Sequence, residues 1–174
     1  MNLQRWAKPV LEGDLVTLRP YDVDDADAAW EMVNDAEGND LTHTTATFTH
    51  DQIWAWCSTR NEQDDRLDLA IVENDTGLFA GEVVLNDFDP ETNSANFRIA
   101  LRGPAWFGRG LGTEATRLIV THGLTTIGLA RITLGVLARN PRAIRAYEKV
   151  GFLQTGTSFD DGELWINMAM PAGA

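Results

Sequence analysis

The sequence holds one cysteine, Cys57. An internal disulfide is therefore excluded, and the cytoplasm is the default expectation. No apolar run approaches the roughly 18–20 residues of a membrane span. The opening M-N-L-Q-R-W-A-K-P-V-L-E-G-D lacks the apolar segment of a secretory signal, so none is expected. Basic residues are scarce: 14 Lys and Arg stand against 26 Asp and Glu, a formal net charge of −12. That balance disfavours nucleic acid and anionic membranes, which need basic patches. It suits solubility, and it leans weakly toward a cationic partner such as an amine. The three histidines are scattered, and no His/Cys/Asp/Glu cluster has metal-ligand spacing, so no metal is expected. There is no internal repeat, low-complexity tract or linker.

What is present is a chain of 174 residues, enough for one domain with a sizeable core. Residues 1–13 read as a loose lead-in, and 14–170 as the domain. Asp14–Arg19 alternates as a strand and Pro20 ends it. Asp22, Asp24 and Asp25 suit a helix N-terminus; Ala26, Ala29, Trp30 and Val33 form its apolar face. Residues 34–39 read as a break. Residues 41–49 are threonine-rich and fit neither period. His50 and Asp51 then cap a second helix over about 52–63. Phe48, Trp54 and Trp56 gather rings there, as core packing or as the wall of an acceptor pocket. His43 and His50 read as loop residues rather than bases.

Leu67–Glu73 and Leu78–Leu85 read as a hairpin around Asn74–Gly77, and Ser94–Leu101 as a third strand. Then comes W-F-G-R-G-L-G-T-E-A, with Gly108, Gly110 and Gly112 alternating along a loop. Such glycines let backbone N–H groups turn inward, and a helix starting near Thr113 adds its own unpaired N–H groups and positive dipole end. The combination suits a phosphate or pyrophosphate, although a plain Gly-rich turn is the simpler alternative. Gly128 sits where a C-cap is expected. Arg131–Leu137 reads as a buried strand. Asn140-Pro141 opens another helix, with Ile144, Tyr147 and Val150 on one face and Gly151 at its end. Residues 152–157 and 163–170 close the chain as strands, the last offering an edge that could pair two subunits. The sum is about seven strands and four helices.

Two runs, G-R-G-L-G-T-E-A and N-P-x-A-x-x-x-Y-E-K-x-G-F, each follow a strand, with roughly thirty residues between them. Together they resemble the GNAT superfamily of acyl-CoA-dependent N-acyltransferases, and more narrowly its ribosomal-protein N-terminal acetyltransferase-like (RimJ/RimL) branch. The resemblance covers about residues 77–170 closely and the first strand and helix loosely. It implies an α/β (α+β) fold: a mixed, twisted sheet splayed into a V, with helices on both faces and acetyl-CoA in the cleft. It implies an acetyl-CoA-dependent transfer to a primary amine, a protein N-terminus or a small molecule, within a ternary complex. It also implies a set of site residues. Phe107, Gly108, Arg109, Gly110, Leu111, Gly112 and Thr113 would hold the CoA pyrophosphate, Arg109 through its charge as well. The superfamily often has Gln or Arg where Phe107 stands. Asn140 would touch the pantetheine arm or orient its helix. Tyr147 would sit near the thioester sulfur and protonate the leaving thiolate; its alternative is a core ring.

For the base, family members often carry Glu on the strand before the glycine loop, and Ser94–Leu101 has no acid. Glu82, on the preceding strand, is the best substitute, with Glu163 or a water chain as alternatives. Arg98 is awkward for a cationic acceptor if it faces the cleft. Cys57 lies outside both motifs, so acyl-cysteine chemistry is not expected. The missing strand acid leaves a non-catalytic acyl-CoA-binding module as the rival. A nucleotide binder fits poorly, because the loop lacks the Lys-Ser/Thr ending of a P-loop and the strand order of a Rossmann unit.

Overall fold

Eight strands form one sheet in the order β1-β2-β3-β4-β5-β6-β8-β7. The computed structural model describes residues 6–173; residues 1–5 of the expected lead-in lie outside them, as does Ala174. The strands are β1 (Leu11–Glu12), β2 (Val16–Pro20), β3 (Leu67–Glu73), β4 (Phe79–Asp89), β5 (Ser94–Leu101), β6 (Arg131–Leu137), β7 (Leu153–Asp160) and β8 (Glu163–Pro171). The helices are α1 (Ala26–Val33), α2 (Ala36–Thr42), α3 (His50–Thr59), α4 (Leu111–His122) and α5 (Pro141–Val150). The count exceeds the expected one by a strand and a helix.

Each addition has a physical reason. β1 pairs Leu11 with Leu18, and Trp6 is 4% exposed in the main core. The described part of the expected lead-in is thus tied down rather than loose. α2 occupies much of the expected break. Asp35 caps it by accepting from the Gly38 N–H at 2.6 Å, and the helix buries no residue, so no apolar period announces it. α1 carries its stripe on Ala26, Ala29 and Met32, while Trp30 lies 39% exposed. The face is rotated from the one expected. β8 is also not an edge. It lies between β6 and β7, and β7 is the outer strand, exposed along its whole length.

Register assigns the two faces of the sheet. Asp68, Val84 and Arg98 lie side by side across β3, β4 and β5, as do Ala70, Glu82 and Ala100. Residues two apart share a face, so Asp68, Glu82 and Arg98 point the same way. That face is covered by α1 and α3, through Ala26, Ala29, Met32, Ile53 and Cys57 packed with Tyr21, Ala70 and Phe79. The opposite face presents Leu69, Val83, Leu85 and Phe97 to Leu111, Ala115 and Ile119 of α4. Tyr147 of α5 packs there too.

β5 and β6 are parallel neighbours, joined only at Ser94–Arg131, Ala95–Ile132 and Asn96–Thr133. Past that point β5 continues with β4 as far as Leu101, and β6 continues with β8 as far as Leu137. The sheet therefore opens between them. This is the expected V, and it places a gap in mid-sheet lined by both faces.

Candidate functional site

The gap leads into a cavity of about 1080 Å³. Its walls come from both faces of the sheet, from α2 and α3 on one side and α5 and the glycine loop on the other.

On the loop side, Phe107 to Thr113 all line the cavity. Gly108 (φ 67°) and Gly110 (φ 83°) hold left-handed conformations that other residues rarely adopt. Gly110 caps α4, which begins at Leu111, two residues earlier than expected. A glycine cap has no side chain to bond the helix's first N–H groups, so those of Leu111, Gly112 and Thr113 stay available beside the positive end of the dipole. Gly112 lies within the helix, and a Cβ there would sit 3.5 Å from Ile99 Cδ1, an ordinary contact. Two of the three glycines are thus demanded by backbone shape.

Charge on this side is distributed differently from the expectation. Arg109 was the cation expected to reach a phosphate. Its guanidinium is instead paired with Glu73, whose side chain is 5% exposed, and lies 5.5 Å over the Trp106 ring. Arg142 was not singled out from the sequence, yet it stacks over Phe107 at 4.2 Å and has no carboxylate partner among the described residues. With Arg145 and Lys149 it lines the cavity from one face of α5. The i, i+3, i+7 spacing within N-P-R-A-I-R-A-Y-E-K carried that signal. Thr116 is buried and donates to the Gly112 carbonyl at 2.6 Å, so it serves α4 itself.

Tyr147 projects from α5 between Phe97 and Phe152, with ring centroids 5.9 and 6.1 Å away. It packs against the main core and also lines the cavity. Its hydroxyl makes no hydrogen bond among the described residues. Burial pushes its phenol above the ordinary value, so it holds its proton throughout the physiological range. Asn140 is 9% exposed and acts as the N-cap of α5, accepting from the Ala143 N–H at 3.3 Å. Its amide also donates to the Leu41 carbonyl at 3.4 Å. The capping role is the one the geometry displays.

On the other side, Glu82 faces the cavity from β4. Gly81 precedes it, where a Cβ would fall 2.2 Å from the Ala100 carbonyl oxygen, so only glycine lets β4 and β5 approach this closely. Burial raises the carboxyl of Glu82 above the ordinary Glu value, against the lowering effect of the Tyr21 hydroxyl, which donates to Oε2 at 2.7 Å. Tyr21 is 3% exposed and held by Trp56 and Phe79. The same pair raises the Tyr21 phenol, burial first and then the charge of Glu82, so the proton stays on the tyrosine. Asp68, buried beside them, is held by Arg66 through two bonds of 2.7 Å. Arg98 lines the cavity, is exposed within it, and has no ion-pair partner among the described residues.

The other candidates fall away from the cavity. Glu163 binds Arg139 and does not line it. His43 bonds Asp161 at 2.8 Å and His50 bonds Asp27 at 2.6 Å, and neither lines the cavity. Cys57 is 2% exposed, and burial pushes its thiol up to about 11. Of the three rings, Phe48 and Trp56 line the cavity, whereas Trp54 is 51% exposed and does not. Among the described residues, no group of three or more His, Cys, Asp or Glu is placed to hold a metal ion.

Residues 16–153 match the family model described as the acetyltransferase (GNAT) domain. The chain is 24% identical to the mouse alpha/beta-tubulin-N-acetyltransferase 9, over 92% of this chain and 71% of that protein. It is 36% identical to the Escherichia coli K12 spermidine N(1)-acetyltransferase over a shorter stretch, 49% of this chain and 45% of that enzyme. Among solved structures, a GNAT-family acetyltransferase from Bacillus anthracis superposes with a TM-score of 0.82 at 17% identity, over 95% of this chain and all of that one. The Vibrio cholerae spermidine N-acetyltransferase, solved with CoA and spermine, gives 0.80 at 18% identity, over 92% and 97%. At these identities the structural likenesses speak for the fold.

Proposed function

The chain belongs to the GNAT acetyltransferase family, and from that premise we propose that it moves an acetyl group from acetyl-CoA directly to a primary amine. One observation carries the reading. A single cavity passes through the opening between β5 and β6, with free helix N–H groups and the unpartnered Tyr147 hydroxyl on one side and Glu82 on the other.

Acetyl-CoA supplies a thioester, in which a C–S bond is exchanged for a C–N bond. The residues present fit it. The N–H groups of Leu111, Gly112 and Thr113 bind the pyrophosphate, and the left-handed Gly108 and Gly110 let the loop come close. Phe107 and the backbone of Arg109 complete the loop, while Arg142 adds the charge that the Arg109 side chain spends on Glu73. Asn140 contributes by fixing the start of α5, which sets the position of Tyr147. Beyond Asn96, backbone groups of β5 facing β6 have no strand partner, so an N–H there is free to meet the thioester oxygen as charge builds on it.

Glu82 takes the proton of the attacking amine. A raised carboxyl pKa moves it toward the range in which a general base works best at neutral pH. Tyr21 occupies Oε2 and orients the carboxylate. Tyr147 gives its proton to the departing sulfur. The acceptor is a small amine or, following the RimJ/RimL-like motif resemblance, a protein N-terminus. The single cysteine fits a cytoplasmic setting. The test is calorimetry with acetyl-CoA, followed by thiol release over a panel of amines. Micromolar binding with release on at least one amine is expected; binding of neither acetyl-CoA nor CoA would sink the reading.

A further inference from the structure

The charged groups on the acceptor side are few, and they can be accounted for one by one. Four line the cavity there: Arg66, Asp68, Glu82 and Arg98. Arg66 and Asp68 neutralise each other through a bidentate bridge, and the Asp68 side chain is fully buried. Glu82 is bound by Tyr21 and is committed to the proton of the attacking amine. Of these four, Arg98 alone is exposed and without an ion-pair partner among the described residues, in a chain with nearly twice as many acids as bases.

We propose that the acceptor is a primary amine carrying its own anionic group, a carboxylate or phosphate a few bonds from the nitrogen, and that Arg98 holds that group. The inference rests on the acetyltransfer reading and deepens it. Glu82 and Arg98 lie on adjacent strands of one face, offset by one pair, since Val84 stands opposite Arg98 and Ala100 opposite Glu82. Diagonal neighbours of this kind are separated by about 7–8 Å at the backbone. A long arginine side chain closes much of that distance, so an amine and an acid on one small molecule span the pair. The guanidinium fork suits carboxylate and phosphate alike.

The same groups argue against a polyamine. Each further ammonium needs an anion, and this wall has none to spare: one carboxylate is locked to Arg66 and the other serves the reacting nitrogen. Two arginines and two carboxylates stand in the wall; the charge of Arg98 lowers the Glu82 pKa from the next strand, but of the four only Arg98 has no hydrogen-bonded partner. The negative balance of the whole chain therefore does not describe its cavity. On this proposal the acceptor differs from the cationic amine toward which the chain's charge leaned, and from the spermidine named for two of the proteins it resembles.

The test compares matched acceptors with acetyl-CoA by thiol release. One set pairs free amino acids with the amines left when their carboxylate is removed, and phosphoethanolamine with ethanolamine. A second set uses short peptides with Asp or Lys as the second residue, and spermidine is run alongside. The acid-bearing member of each pair should be favoured on the order of 10- to 100-fold in kcat/KM. Arg98→Met should level that preference through KM while the acetyl-CoA Kd and the melting temperature stay unchanged, and Arg98→Lys should restore part of it. Free acids leading over peptides assigns a small-molecule acceptor; Asp-peptides leading assigns an acidic protein N-terminus. Spermidine leading, or a preference indifferent to Arg98→Met, overturns this inference and leaves acetyltransfer standing. Acetyl-CoA binding without release on any amine overturns both.

Discussion

Tyr147→Phe removes one oxygen and nothing else. In the fold that oxygen has no hydrogen-bond partner among the described residues, while its ring packs against Phe97 and Phe152 in T-shaped contacts. Phenylalanine keeps those contacts and leaves no buried acceptor stranded, so stability should change by less than about 0.5 kcal/mol. Catalysis should respond quite differently. The hydroxyl is the one phenol on the loop side of the cavity, and burial keeps it protonated. General acids contribute about 10²- to 10⁴-fold, and a thiolate of pKa about 8–9 needs only modest help, which places the loss at or below the bottom of that range. A kcat reduced roughly 10- to 100-fold, about 1.4–2.7 kcal/mol in the barrier, is expected. Thiol release at saturating acetyl-CoA measures it, with calorimetry for the Kd and a thermal melt for the fold. An unchanged kcat would refute the assignment of the proton. A loss of activity matched by a large drop in melting temperature would show the hydroxyl to be structural.

Glu82→Gln should lose most activity at neutral pH. In the unmutated protein kcat/KM should rise with pH through a pKa above the ordinary Glu value, because the base must be ionised. Stability runs the other way. The folded state binds the proton more tightly than the unfolded state, so stability falls as pH rises through the raised pKa, and Glu82→Gln should flatten that fall in a series of melts. Glu114→Ala should cost about 1.5–3 kcal/mol in denaturant titrations, since its carboxylate accepts from the N–H groups of Asp14, Leu15 and Val16 at 3.1, 2.7 and 2.8 Å. Gly81→Ala drives a Cβ into the Ala100 carbonyl and should cost about 2–4 kcal/mol, with the melting temperature as readout. Cys57 should resist maleimide until the protein unfolds, and its replacement by Ala should leave turnover intact.

Much of the fold was legible, and the boundaries show why. β3, β5 and β6 run over the residues expected of them: β5 buries Ala95 and Phe97 and β6 buries Ile132, Leu134 and Val136 on alternate positions, while β3 is buried on both faces. Asn140 and Pro141 open α5 where a cap and a first-turn proline should. α2 was illegible because it buries nothing, and β1 because two residues carry no pattern. The site divides in the same way. Glycines at left-handed positions announce the loop, but the partners of its charges lie far away in sequence. Glu73 reaches Arg109 across 36 residues, and Glu114 reaches the turn between β1 and β2 across 98 to 100. Whether Arg98 was paired could be learned only once every acid near it had a position.

The parted strands have a consequence for how this protein breathes. In an ordinary sheet the outer strands fray first and the centre exchanges its amide hydrogens last. Here β5 and β6 occupy the fourth and third places from the end carrying β7, yet past Asn96 and Thr133 each turns an unpaired flank to the other. An exchange map should therefore read inside out. Amides on those flanks should trade with solvent well ahead of the β3–β4 pairing beside them. An occupant of the gap that bonds to the flanks would complete the sheet and slow that exchange, so the cleft's own backbone would report when it is filled.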